Sequence, residues 1–385
     1  MNERFTEFTN SGEGKPSQTK KRDSNLELFR IITMLLIVAH HYVVNSGLTA
    51  ADGPIYASPM SGRSLFLLLF GAWGKIGINC FVMITGYFMC TSQITAKKFA
   101  KLVCEFMFYR WAFYLIFLIS GYAPFSIKTL VKTVIPITQI NQNFTGCFVV
   151  FWLFIPFLNL LLKHTNERQH IRLILLSSFL YIILGTVKQV TMNYVSWFIV
   201  LYFISSYFRL YPKKSFSNTK LWCVLTICAV CISVISVIAC SWVKMKYGKL
   251  GSYSFVTDSN TFLAVVVGVC AFMFFKNIKI KYNRFINTVA ASTFGVLCIH
   301  ANSDTMRQWL WKDTLDNVVH YNSSLMPLHA IGSVLGIFAV CVIIDIIRIN
   351  LLEKPFFKFW DKHWDGFLAK FKRVEDKVFK KLNVE

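Results

Sequence analysis

The sequence predicts an all-α, polytopic membrane protein with about ten transmembrane helices and both termini on the cytoplasmic side. Three observations carry that reading. Of the 385 residues, 55% are hydrophobic and only 16% are charged, whereas soluble domains are about a quarter charged. The apolar residues fall in blocks of about 17–25, the length that crosses a bilayer as a helix, and a helix satisfies its own backbone in lipid. Lys and Arg crowd alternate connecting segments, which sets the orientation.

Taken in order, the blocks are 26–45, 64–90, 102–122, 146–162, 173–187, 194–211, 221–243, 261–275, 289–301 and 327–349. The second is interrupted by Gly74 and Gly77, which permit a bend or a close helix contact. The fifth, eighth and ninth are short. The stretch 127–140 is amphipathic and broken by Pro136, so it reads as an interfacial segment and not a span. Residues 1–25 are polar and read as a disordered cytoplasmic head. The first block has no small-residue cleavage site and is expected to be retained. Residues 26–350 then form the transmembrane domain, and 351–385 a basic cytoplasmic tail. That tail alternates Phe or Trp with Lys, as an amphipathic helix on an anionic leaflet does.

With the amino terminus inside, the inner segments hold about 30 of the 41 basic residues. Segments 52–63 and 244–260 are then expected outside. The formal charge of +22 is explained by topology and anionic lipid, because it lies in short loops beside apolar helices; nucleic acid is not the expected partner. A phosphate-bearing cytoplasmic substrate is compatible with the same charge. The eleven cysteines lie mostly inside spans and read as small packing residues. No metal site, P-loop or dinucleotide fingerprint is expected, hence no bound cofactor.

Polar groups within a bilayer are costly, so they form the functional shortlist. The first block carries Glu27, Arg30, His40 and His41. Arg30 and His41 are eleven residues apart, close to three helical turns, so they point the same way and are separated by roughly 16 Å. Asn45 is one turn further on that face. Snorkelling explains an arginine at an inner helix end. Two adjacent histidines in an apolar helix have no topological explanation, and a neutral imidazole can take and return a proton. His40 points about 100° away from His41. The second block contains Lys75, Asn79, Thr85 and Tyr87, followed by Lys97, Lys98 and Lys101. The third carries Glu105 and Arg110, which do not share a face. The ninth ends with His300 near the outer surface, where an interfacial polar residue is the plain reading. Asp345 and Arg348, at i and i+3, read as a structural pair.

Four segments together resemble the membrane-bound acyltransferases of acyltransferase family 3, which O-acylate surface polysaccharides and related glycans. They are NLELFRIITMLLIVAHHYVV, GKIGINCFVMITGYF, FWLFIPFLNLLL and STFGVLCIH. The resemblance covers about residues 25–350. It implies an O-acyltransferase, expected to be an O-acetyltransferase, in the cell membrane. It also implies acetyl-CoA or another acyl-CoA as cytoplasmic donor, and an envelope glycan or lipid-linked saccharide as acceptor. His41 would be the catalytic base or an acyl relay, with Arg30 positioning the donor. Lys98 and Lys101 stand where many members carry paired arginines, and are the expected acyl-CoA contacts beside Arg30. Asn79 stands where some members have an acidic residue. Asn45, Asn79, Tyr87 and His300 are expected to line the cavity. The tail is too short for the soluble esterase-like domain that some members carry.

The runner-up reading is a transporter or flippase for a lipid-linked or acidic solute. It would be expected to show internal symmetry, and none is visible. A structural or regulatory membrane protein is a third reading, for which buried His40 and His41 would be gratuitous.

Overall fold

The computed structural model describes residues 24–135, 144–188, 193–364, 366 and 373. Its principal helices are α1 (Ser24–Val44), α2 (Gly62–Gly71), α3 (Gly74–Met89), α4 (Ala96–Ile119), α5 (Ile127–Val134), α6 (Phe144–His164) and α7 (Glu167–Val187), then α8 (Tyr194–Leu210), α9 (Thr219–Tyr247), α10 (Phe262–Asn277), α11 (Arg284–Ala291), α12 (Thr293–His300) and α13 (Met326–Arg348). The described residues contain no strand. Each apolar block coincides with one of these helices, the second with α2 and α3 and the ninth with α11 and α12. Seven helices among the described residues are long and apolar enough to cross a membrane. The pair Arg284–His300 and Asp304–His320, bent by 92°, makes an eighth if counted as one span, and α8 and α10 are shorter apolar helices.

The helix α1 is the hub. It packs against α2, α3, α10, α11, α12 and α13, and 56% of its most apolar stretch is buried, against 11% for α7. So α1 holds the core while α7 offers its side chains to lipid. Close approach to α1 depends on glycine. A Cβ at Gly74 would stand 2.2 Å from His40 Cβ, and one at Gly77 would stand 2.9 Å from Thr33 O. The glycines of the second block thus make a helix contact, and the chain also breaks between α2 and α3.

Several boundaries differ from the sequence reading. Residues 1–23 of the expected disordered head lie outside the described residues, but Ser24 and Asn25 are helical and buried. The Asn25 amide donates to the carbonyls of Phe275, Lys276 and Ile278 at 2.9, 3.1 and 3.0 Å. Those are orphan acceptors at the end of α10, so Asn25 caps one helix while starting another. The third span begins at Ala96, because Thr95 caps its first turn; Lys97, Lys98 and Lys101 are therefore helical rather than loop residues. Of the interfacial stretch, 127–134 is helical and 136–140 lies outside the described residues. Arg110 is buried because its guanidinium donates to the carbonyls of Thr133 and Lys132 at the end of α5. A cation there also complements the helix dipole.

A polar centre braces α4, α12 and α13. Arg348 meets Asp345 at 2.8 Å, Glu353 at 2.8 Å and Glu105 at 3.3 Å. The Tyr109 hydroxyl donates to Asp345 at 2.7 Å. Gly295 of α12 lies against the same carboxylate, where a Cβ would stand 2.3 Å from Asp345 Oδ1. The expected Asp345–Arg348 pair is present and is part of a larger knot.

Candidate active site

At the far end of α1 from Arg30, His41 meets His300. His41 Nδ1 and His300 Nε2 are 3.0 Å apart, with ring centroids 5.1 Å apart. His300 is the last residue of α12, immediately before the 92° break. It is wholly buried, at 0% exposure, and so is not an exposed polar residue. The segment after the break folds over it and sets Trp311 edge-on to its ring.

The hydrogen bonds fix where the protons sit. His300 Nδ1 lies 2.6 Å from the Val296 carbonyl, which can only accept. Nδ1 of His300 therefore carries a proton. In the neutral ring its Nε2 is then an acceptor, so His41 Nδ1 must be the donor to it. That leaves the lone pair of neutral His41 on Nε2, which has no hydrogen-bond partner among the described residues. His41 is only partly buried. An oriented imidazole with an open Nε2 is the arrangement a general base requires.

His40 is held differently. Its Nδ1 donates to the Gly71 carbonyl at 2.6 Å, and its ring is fixed between Gly74 and Tyr253. Tyr253 in turn donates to the Leu68 carbonyl. This side chain fastens α1 to the break between α2 and α3.

Two cations lie within electrostatic range of His41: Lys75 and Arg307. The Lys75 ammonium donates to the Tyr194 hydroxyl at 2.7 Å, and Arg307 pairs with Asp304 at 2.5 Å. Positive charge fixed near a reacting centre stabilises developing negative charge. Lys75 was visible in the sequence as a polar residue in a span, but neither cation was assigned to the site. Nothing in spacing links Arg307 to a histidine 266 residues earlier.

Of the remaining candidates Asn45 adjoins the pair, its backbone N–H donating to the His41 carbonyl at 3.0 Å; the others are engaged elsewhere. Arg30 is three turns away on α1, 3.8 Å from Glu27, with its side chain 24% exposed. Lys98 donates to the Gln93 carbonyl at 3.0 Å, and Lys101 pairs with Glu353 at 2.6 Å. Both amide ends of Asn79 are used: it donates to Ser259 O at 2.6 Å and accepts from Trp197 at 2.9 Å, knotting α3 to α8 and the start of α10. Tyr87 accepts from Arg209 at 3.2 Å, the guanidinium lying over its ring. Asn45 follows the last turn of α1, half-buried. No group of three or more metal-type ligands occurs among the described residues.

The family described as an acyltransferase domain, acyltransferase family 3, matches residues 23–346. The chain belongs to this family. The matched region runs from the start of α1 nearly to the end of α13, so both imidazoles lie inside it. No curated protein matches the chain, and no solved structure does. Family and fold together make this a multi-pass membrane acyltransferase.

Proposed function

We propose that this acyltransferase moves an acetyl group from acetyl-CoA to a hydroxyl of an envelope glycan or lipid-linked saccharide, in the cell membrane, with His41 as general base. The observation that carries the reading is the hydrogen bond that His41 Nδ1 donates to His300 Nε2, which orients His41 with Nε2 open. A sugar hydroxyl is a poor nucleophile until its proton is removed. The hydroxyl oxygen attacks the thioester carbonyl carbon while His41 Nε2 takes the proton. The new C–O bond forms, the C–S bond breaks, and the proton passes from Nε2 to the departing sulfur. His300 is a positioning residue: it holds the tautomer and touches neither substrate.

Both termini are taken as cytoplasmic, from the distribution of basic residues. Arg30 then lies at the donor face, with Arg209 and Lys276 near one another at the ends of α8 and α10. Lys98 and Lys101 are on the same face. Charge suits them to CoA phosphates, though Lys101 reaches a phosphate only by sharing or leaving Glu353.

The test is label transfer from acetyl-CoA carrying labelled acetyl, using membranes that contain the protein and envelope glycan as acceptor. Label should enter the glycan with the wild-type chain and not with His41→Ala at equal abundance. Wild-type transfer by that variant would remove His41 from the mechanism, and label absent from the glycan with the intact protein would remove the acetyl-CoA reading.

A further inference from the structure

Beside the imidazole pair, at the end of the bundle away from Arg30, is a cavity of about 560 Å³. That volume is within the range of small-molecule sites. Its walls come from α4, α5 and the broken segment after α12. Three cations line it: Arg110, Lys132 and Arg307, against one carboxylate, Asp304. Asn302, two residues past His300, is also in the wall, and Arg307 acts electrostatically on both His41 and His300.

A second observation points into the same space. The Tyr114 hydroxyl, on the cavity wall, is buried without a hydrogen-bond partner. A buried phenol without a partner among the described residues is free to bond a ligand or water that enters the cavity. The phenol can donate as well as accept, which suits an anionic oxygen. Lys132 and Arg307 are half-buried, where a charge-assisted hydrogen bond is screened less than on an open surface. The Arg110 guanidinium is anchored on the α5 carbonyls, so it contributes fixed positive charge.

From these groups we infer that the cavity is the acceptor subsite, and that the saccharide it takes is anionic, carrying a carboxylate or a phosphate close to the acetylated hydroxyl. The inference rests on the proposed acetyl transfer for the word acceptor, but the site itself is tested by binding alone. An acidic group held by Lys132, Arg307 and Tyr114 would keep its sugar in the cavity whose wall includes Ala301 and Asn302, the residues that directly follow His300. The many hydroxyl groups in the wall, Ser126, Thr129 and Ser303 among them, match a polyol better than the phosphate of a phospholipid.

The test uses the full chain in nanodiscs of neutral lipid, with trigalacturonate, glucose 1-phosphate and maltotriose as probes. At least one acidic probe should bind ten times more tightly than maltotriose, and more weakly as salt rises. Which acid binds tells carboxylate from phosphate. Lys132→Gln with Arg307→Gln should lower that affinity at least tenfold and leave maltotriose unchanged. Tyr114→Phe, which keeps the ring and should fold even if the double variant does not, should lower it several-fold. Equal affinity for acidic and neutral probes, or acid binding unmoved by Tyr114→Phe and by salt, would overturn the inference. So would loss of acid binding on adding phosphatidylglycerol to the disc, which would make this a lipid site. Because no turnover is read, failure here leaves the acetyl-transfer reading standing. Success here, with no labelled acetyl transferred, would remove that reading instead.

Discussion

Two buried polar centres lie in this bundle, and they are built to opposite ends. In the guanidinium knot Arg348 is shared by Glu105, Asp345 and Glu353, with Tyr109 and Lys101 at its rim. All its members belong to the chain and hold one another. In the imidazole pair, His300 spends both nitrogens, on Val296 and on His41, while His41 keeps Nε2 uncommitted. In the pair, the open Nε2 of His41 is the atom left for a substrate to meet. The knot serves the pair through Gly295, whose contact with Asp345 sets the position of α12 and hence of His300.

That contrast breaks most sharply at His41. His41→Ala should lower acetyl transfer by about 10²–10⁴-fold, the usual worth of a positioned base, with unfolding in detergent nearly unchanged. Equal loss of stability would put His41 with the knot. Arg348→Ala should do the reverse. It strands buried carboxylates and should cost about 3–5 kcal/mol of stability, read as a lower unfolding midpoint and lower abundance. If the protein accumulates normally, the knot is not a brace.

Smaller effects sharpen the comparison. His300→Ala should lower transfer less than His41→Ala does, and His300→Gln should restore part of it, because an amide oxygen can still accept from His41 Nδ1. Identical activity for the two variants would mean that His300 only fills space. Gly74→Ala is smaller again. Its Cβ would collide with His40, an overpacking that typically costs about 1–3 kcal/mol. It should lower the unfolding midpoint without abolishing transfer.

Much of the fold was legible because lipid imposes one signal, a long apolar block, and each block meets a helix. Boundaries were less so. Thr95 starts α4 well before the apolar run does, and Ser292 divides the ninth block into α11 and α12. In the site, the spacing of Arg30 and His41 could be read from helical periodicity, and so could the i, i+3 pair of Asp345 and Arg348. The partners across the chain could not. His300 lies 259 residues from His41 and Glu105 lies 243 from Arg348, and such contacts leave no periodic trace. The burial of His300 depends on a bend that its own helix does not encode.

The helical run from Met326 continues to Trp364, 39 residues in all, which is about 58 Å of helix. The hydrocarbon core is about 30 Å thick. The run is therefore nearly twice as long as the hydrocarbon is thick, and its far part is stayed to the foot of α4 by Glu353 on Lys101 and Asp361 on Lys97. A chain trimmed where the hydrophobic sequence stops, near residue 350, would lose both stays and one of the three carboxylates on Arg348. The shortest span that keeps the foundation whole extends at least to Asp361, so residues 351–361 are masonry for the membrane domain rather than an appendix to it.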